Sequence, residues 1–243
     1  NGEFTSSTAN TYTFSGLNKG TTYTIKVYVT DTSGVDSSVY TTSAETENTV
    51  LLAEYIKSLY TSQGSNGIYY HTSSLANSAE DNSYRYAGAD PNNYVCFGSD
   101  AATCPEDNLY RIIGVFGSEV KLIKVSNYCY ESWKIGGDNT WINSDVRSVL
   151  NTTYYNSLSA TWQNKIATHT WKVGGMTSAN GYGNGAKTAY NYEVGSSSAS
   201  TTDSMKIGLM YVSDYYYGAT NTYWTYPGWN SSCLLYTSPS PRD

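Results

Sequence analysis

Two apolar runs separated by two residues constrain this chain more than anything else in it. Leu109–Phe116 and Glu119–Val125 are rich in Ile, Val and Leu, and Gly117-Ser118 between them is short enough only for a hairpin turn. Both runs are apolar on nearly both faces, which predicts a pair of strands in the centre of a sheet, covered on two sides. A sheet of that kind needs other elements to cover it. The remaining composition limits what they can be, because hydrophobic residues make up 39% of the 243 and charged residues only 14%. The polar surface must therefore come from Ser, Thr, Asn and the 26 tyrosines. Tyrosine buries a large ring and keeps a hydroxyl for water or a partner, so it suits both sheets and binding surfaces.

The elements around the hairpin follow from periodicity. Within Glu47–Tyr60, residues Leu52, Tyr55, Ile56 and Leu59 form one helical stripe, with Asn48 or Thr49 as a cap. Thr61–Asn82 reads as loop with a short strand at Ile68–His71. Trp141 to Asn151 reads as a helix capped by Ser144, with Asp145 at its positive end and Val146, Val149 and Leu150 facing inward. A second short helix is expected near Ser159–Ala167 on Leu158, Trp162 and Ile166. Strands are expected at His169–Val173 and at Met205–Val212, the latter with Ile207, Leu209 and Tyr211 on one face. Gly174–Gly185 reads as a surface loop without the Lys-Ser/Thr ending of a phosphate cradle.

The N-terminal stretch has a different texture. Leu17-Asn18-Lys19-Gly20-Thr21-Thr22-Tyr23 leads into strict alternation, with Tyr23, Ile25, Val27 and Val29 apolar, then an Asp31-Thr32-Ser33-Gly34 turn and a last strand near Val35–Glu45. This order resembles the second half of a fibronectin type III domain, and implies an extracellular, modular protein. Only about three of the roughly seven strands of such a sandwich are present, so residues 1–45 are expected to be a partial module with exposed apolar faces. At the other end, Cys233–Asp243 breaks with the preceding text and matches one frame of a transposase sequencing adapter codon by codon. It is expected to be an artefact and is set aside from fold reasoning. The expected organisation is thus residues 1–45 as the fibronectin half, 46–232 as an α+β domain with a central hairpin sheet and a few short helices, and 233–243 as the artefact. The fold class is mixed and β-rich, an all-β partial sandwich followed by that α+β domain.

A second resemblance rests on Tyr110-Arg111-Ile112-Ile113-Gly114-Val115, on Val120-Lys121-Leu122-Ile123-Lys124, and on Trp141, Ser144, Arg147, Leu150 and Asn151. The spacing Trp-x-x-Ser-x-x-Arg-x-x-Leu-Asn is similar to that of a family of bacterial cell-surface domains of unknown function, found in long exported proteins beside fibronectin-type repeats. The likeness covers about 108 to 175 and brings no catalytic residues. It implies a secreted or surface location and a structural role for the five motif residues.

Candidate chemistry is sparse. Cys96 and Cys104 flank a polar loop and, in an exported protein, read as a local disulfide; Cys129 is left over. His71 and His169 each sit among aromatic and hydroxyl residues, where a structural role is the ordinary one, and nothing orients His169 toward Cys129 as a base would need. The carboxylates Glu80, Asp81, Glu106, Asp107, Asp203 and Asp214 could form a glycosidase pair, though solvation is the simpler account of residues in polar loops and strand ends. Asp90, Asn92, Asn93, Asp138 and Asn139 offer oxygen donors to calcium without the spacing of a helix-loop-helix site. No other cofactor is expected.

The net charge of −6 and the absence of a Lys/Arg cluster argue against nucleic acid. No apolar run is long enough to span a membrane. The aromatics Tyr215, Tyr217, Tyr223, Trp224, Tyr226 and Trp229 could present flat rings to a sugar or peptide, or could pack a core. The expected function is a non-catalytic binding, adhesion or spacer module, with a host or environmental glycan or protein as partner. The alternative is a carbohydrate-binding accessory domain of an extracellular hydrolase.

Overall fold

The computed structural model describes residues 5–9, 11–46, 50–175, 185–195, 198 and 200–225. The chain divides into two compact units, residues 1–51 and 52–243.

In the first unit, β1 (Thr22–Val27) pairs antiparallel with β2 (Tyr40–Glu45), Thr22 opposite Glu45 and Val27 opposite Tyr40. The turn between them closes as the sequence predicts. The Asp31 carboxylate accepts hydrogen bonds from Ser33 N at 2.8 Å and Val35 N at 2.9 Å, and Gly34 takes the positive φ that the turn requires. The Tyr23 hydroxyl accepts a hydrogen bond from Asn18 N at 2.9 Å, tying the strand to the chain before it. Of the predicted apolar face, Tyr23 and Ile25 are half-buried while Val27 and Val29 are exposed, and none of the described residues of this unit is fully buried.

The second unit is mixed, with antiparallel sheets and short helices. Its main sheet contains β3 (Ile68–Tyr70), β4 (Tyr84–Tyr86), β5 (Tyr94–Cys96), β6 (Leu109–Phe116) and β7 (Glu119–Lys124). Strand β6 is central. On one edge it pairs with β5 through Leu109, Tyr110 and Arg111 and with β4 through Gly114 and Val115; β7 runs along its other edge. The predicted hairpin is present, turning at Gly117-Ser118. Of the two hairpin strands, however, only β6 is central. β7 is half-buried along its whole length, because among the described residues only β6 pairs with it.

Helix α1 (Leu52–Leu59) covers one sheet face, burying Ala53 and Ile56 against Ile68, Tyr86, Ile112 and Val115. The predicted stripe is rotated, since Leu52 and Tyr55 lie exposed and Ala53 faces in. The small Ala53 side chain lets the helix approach the sheet closely, which an apolar count does not reveal. Position 114 must be Gly for a similar reason. A Cβ there would lie 2.5 Å from Tyr84 O and 3.1 Å from Arg85 Cα.

Beyond the sheet, α2 (Asp145–Ser148) runs without interruption into a π-helical segment, Val149–Tyr154, and then α3 (Tyr155–Ser157). Ser144 caps α2, its Oγ accepting from Arg147 N at 3.1 Å. Short α4 (Ala160–Gln163) follows, and then β8 (His169–Lys172), which pairs with β9 (Thr202–Met205). Helices α5 (Ala186–Glu193) and α6 (Val212–Gly218) pack together on a second core, where Ala79, Ala87, Ala186, Ala189 and Ala219 interdigitate with Tyr216, Tyr217 and Trp224. Alanine–aromatic packing explains how a chain with few aliphatic residues fills an interior. The predicted strand at Met205–Val212 is corrected here. β9 ends at Met205, and Tyr211 caps α6. Cys96 and Cys104 are disulfide-bonded and Cys129 is exposed as a free thiol. No helix among the described residues is long and apolar enough to cross a membrane.

Candidate functional site

Period-two alternation sorts the main sheet into an apolar face and a charged one. Tyr84 and Tyr86 of β4 turn toward α1, and Arg85 between them turns the other way. Arg85, Gly114 and Lys121 are directly opposite one another across β4, β6 and β7. Two cations therefore share a row, separated by a residue with no side chain. Asp214 of α6 bridges them, one oxygen 2.9 Å from Arg85 Nη1 and the other on Lys121 Nζ. Arg85 is only 2% exposed. It also donates to Asp81 at 2.6 Å and to Ser83 Oγ at 2.9 Å, and its guanidinium lies against the rings of Phe116 and Tyr217.

Burial would raise the Asp81 carboxyl, but Arg85 and the Ser83 hydrogen bonds outweigh it and hold it below the ordinary range. Burial pushes the Lys121 ammonium down, against the pull of Asp214. Glu193, at the end of α5, accepts from Val212 N at 2.9 Å and Ser213 N at 2.8 Å, so it serves the first amides of α6. Burial raises its carboxyl despite those bonds.

His71 lies beside this network with no exposure. Its Nδ1 accepts from Ala79 N at 3.1 Å, its Nε2 has no hydrogen-bond partner among the described residues, and its ring is 4.7 Å from Tyr217 and 5.0 Å from Trp224. Burial and then Arg85 lower it to about 3, which keeps the imidazole neutral.

A second constellation gathers the Trp-Ser-Arg-Leu-Asn motif around β9. Arg147 grips Asp203 with two hydrogen bonds, at 2.5 and 3.1 Å, and Trp141 Nε1 donates to the same carboxylate at 3.1 Å. The Asn151 side chain donates to Ile207 O at 2.8 Å and accepts from Lys206 N and Ile207 N. Trp141 lies in a 3-10 turn just before Ser144, which caps the helix that carries Arg147 and leads on to Leu150, half-buried, and Asn151. The motif is a clamp between α2 and β9.

Between this clamp and the α5–α6 pair lies an aromatic cleft of about 130 Å³. Trp133, Trp141, Trp171 and Tyr211 supply the rings, Leu209 and Met205 add apolar wall, and Glu193 and Lys172 bring one charge of each sign. Lys121 Nζ lies 4.2 Å from the centroid of Tyr211 and 5.0 Å from that of Trp171. Gly208 packs so closely on Trp171 that an added Cβ would lie 2.7 Å from the indole. Trp133 is the most exposed of the rings, at 40%. The Tyr211 hydroxyl bonds to Lys172 N and O, and burial raises it to about 12.

The candidates read from sequence are distributed as follows. Tyr217 and Trp224 are core residues at 1% exposure, with Trp224 Nε1 donating to Ala219 O, so neither offers a face to a ligand. Tyr215 and Tyr223 are half-buried, and Tyr226 and Trp229 lie outside the described residues. Glu106 and Asp107 are exposed. Asp81, Asp203 and Asp214 are held by Arg and Lys rather than by water, which corrects the solvation reading, because their partners come from up to 129 positions away. His169 pairs with Glu119 at 2.9 Å.

Among the oxygen donors considered for calcium, Asn93 binds Ile112 O and Arg111, and Asp138 accepts from Thr140 and Asn143. No group of three or more His, Cys, Asp or Glu stands ready for a metal among the described residues. The cleft itself was missed in the sequence, since its residues span 133 to 211 with no local spacing to betray them. This chain matches no protein family, no curated protein and no solved structure.

Proposed function

We propose that this chain is a non-catalytic module of a secreted or cell-surface bacterial protein, acting in binding or adhesion. The observation that carries the reading is the pairing of three carboxylates with cations, the buried Glu193 being held instead by the Val212 and Ser213 amides. Asp81 and Asp214 with Arg85 and Lys121, and Asp203 with Arg147, are neutralised in place, and a carboxylate locked to a cation is a poor general acid or base. The Cys96–Cys104 disulfide supports an oxidising compartment. The Tyr23–Asn18 hydrogen bond supports a fibronectin-like first unit, where a tyrosine ties a strand to the chain just upstream. The aromatic cleft favours one second reading, a carbohydrate-binding accessory domain of an extracellular hydrolase.

The test is protease treatment of intact cells expressing the native gene. Release of peptides from residues 52–225 without lysis is the expected result. Recovery of those peptides only after lysis would overturn the location.

A further inference from the structure

We infer that the cleft between Trp133, Trp171 and Tyr211 binds a single neutral pyranose ring, a ligand class that rests on the binding-module reading. Its size sets the first limit. A cavity of about 130 Å³ accommodates one six-membered ring and little more. The lining sets the second. Aromatic rings, Leu209 and Met205 dominate it, which selects a ligand with a flat apolar face.

Charge sets the third. Glu193 and Lys172 bring one charge of each sign to the lining, so neither an anion nor a cation meets charge of the opposite sign alone. The Lys121 ammonium already lies over Tyr211 and Trp171, where a cationic ligand would have to sit. What remains is a neutral molecule with an apolar face and a polar edge. A pyranose has both, with C–H groups on one face and hydroxyls at the rim. Trp133, the ring most open to solvent, is the stacking plane, and Lys172 and Glu193 address the hydroxyls.

The experiment is ligand-observed NMR and tryptophan fluorescence titration of the whole chain with neutral hexoses, their N-acetylamino derivatives, uronic acids and amino sugars. Saturable binding of one or more neutral sugars in the millimolar range is expected, as suits a site that buries one ring. Trp133→Ala should weaken it about tenfold, the loss of one aromatic contact. Leu209→Arg, which fills the mouth from an exposed position, should abolish it. Far-UV circular dichroism of both variants should match that of the parent.

Sugar binding that both variants leave intact would overturn the cleft while leaving a glycan-binding module standing. Binding confined to uronic acids or amino sugars would overturn the neutral-ligand assignment. No binding across the panel would overturn the inference, and the location result from intact cells would remain valid.

Discussion

At the scale of single residues, the least ordinary group is His71. A neutral imidazole with no exposure, one nitrogen bonded and the other without a partner among the described residues, resists protonation more than an exposed histidine does. The sign follows from the two states. The unfolded chain takes up a proton near 6.5, the ordinary value of a free imidazole, and the folded chain refuses it until about 3. Between those values the unfolded state binds more protons, so stability falls as pH falls, by up to about 1.4 kcal/mol per pH unit. Asp81, held low by Arg85, adds a loss only below its own unfolded value, and Glu193, raised by burial, works in the opposite direction. Measuring urea midpoints from about pH 7 to pH 5 for the parent and for His71→Asn isolates the histidine, since the other groups are common to both. The parent should lose stability faster than the variant. Parallel curves would mean that His71 titrates normally in the folded protein.

At the scale of elements, the Trp-Ser-Arg-Leu-Asn motif spans a turn and the helix it leads into, and its Trp141 and Arg147 side chains converge on Asp203 of β9. Removing the charge from its acceptor should be costly, because Asp203→Asn leaves Arg147 facing an amide and breaks a three-donor arrangement. We expect a loss of about 1–3 kcal/mol, read from denaturant unfolding, whereas neutralising the exposed Glu131 should change stability by less than roughly 0.5 kcal/mol. Equal effects would show that the clamp contributes little.

The same elements show what sequence could reveal. The 109–125 hairpin, the Ser144 cap, β8 and the existence of α1 were legible because each depends on neighbours within a few positions. Helix α6 was not. Alternation at Ile207, Leu209 and Tyr211 mimics a strand, and the feature that decides against it is Glu193, which binds Val212 N and Ser213 N from the end of another helix. The cleft was invisible for a related reason. Trp133, Trp171 and Glu193 meet only after β8, β9 and α5 have formed.

At the scale of the whole molecule, the two units differ in how much interior they own. In residues 52–243, β6 is paired on both edges and buries Tyr110, Ile112 and Val115. In residues 1–51, β1 pairs only with β2 among the described residues, and Val29 and Tyr40 are each 68% exposed. A two-stranded sheet without a covered face is marginal in water, and its amides open by local fluctuation rather than by global unfolding. Hydrogen exchange followed by mass spectrometry should therefore rank the chain in two tiers, with peptides covering Thr22–Val27 and Tyr40–Glu45 exchanging first and those covering Ile112–Val115 last. The measurement should be run at two protein concentrations, because an uncovered apolar face can also be protected by a second molecule. Protection of the first unit that rises with concentration would mean that its face is covered in solution by another copy. Protection equal to that of β6 at every concentration would mean that the hairpin is stabilised within its own chain, and the two-tier account would fail.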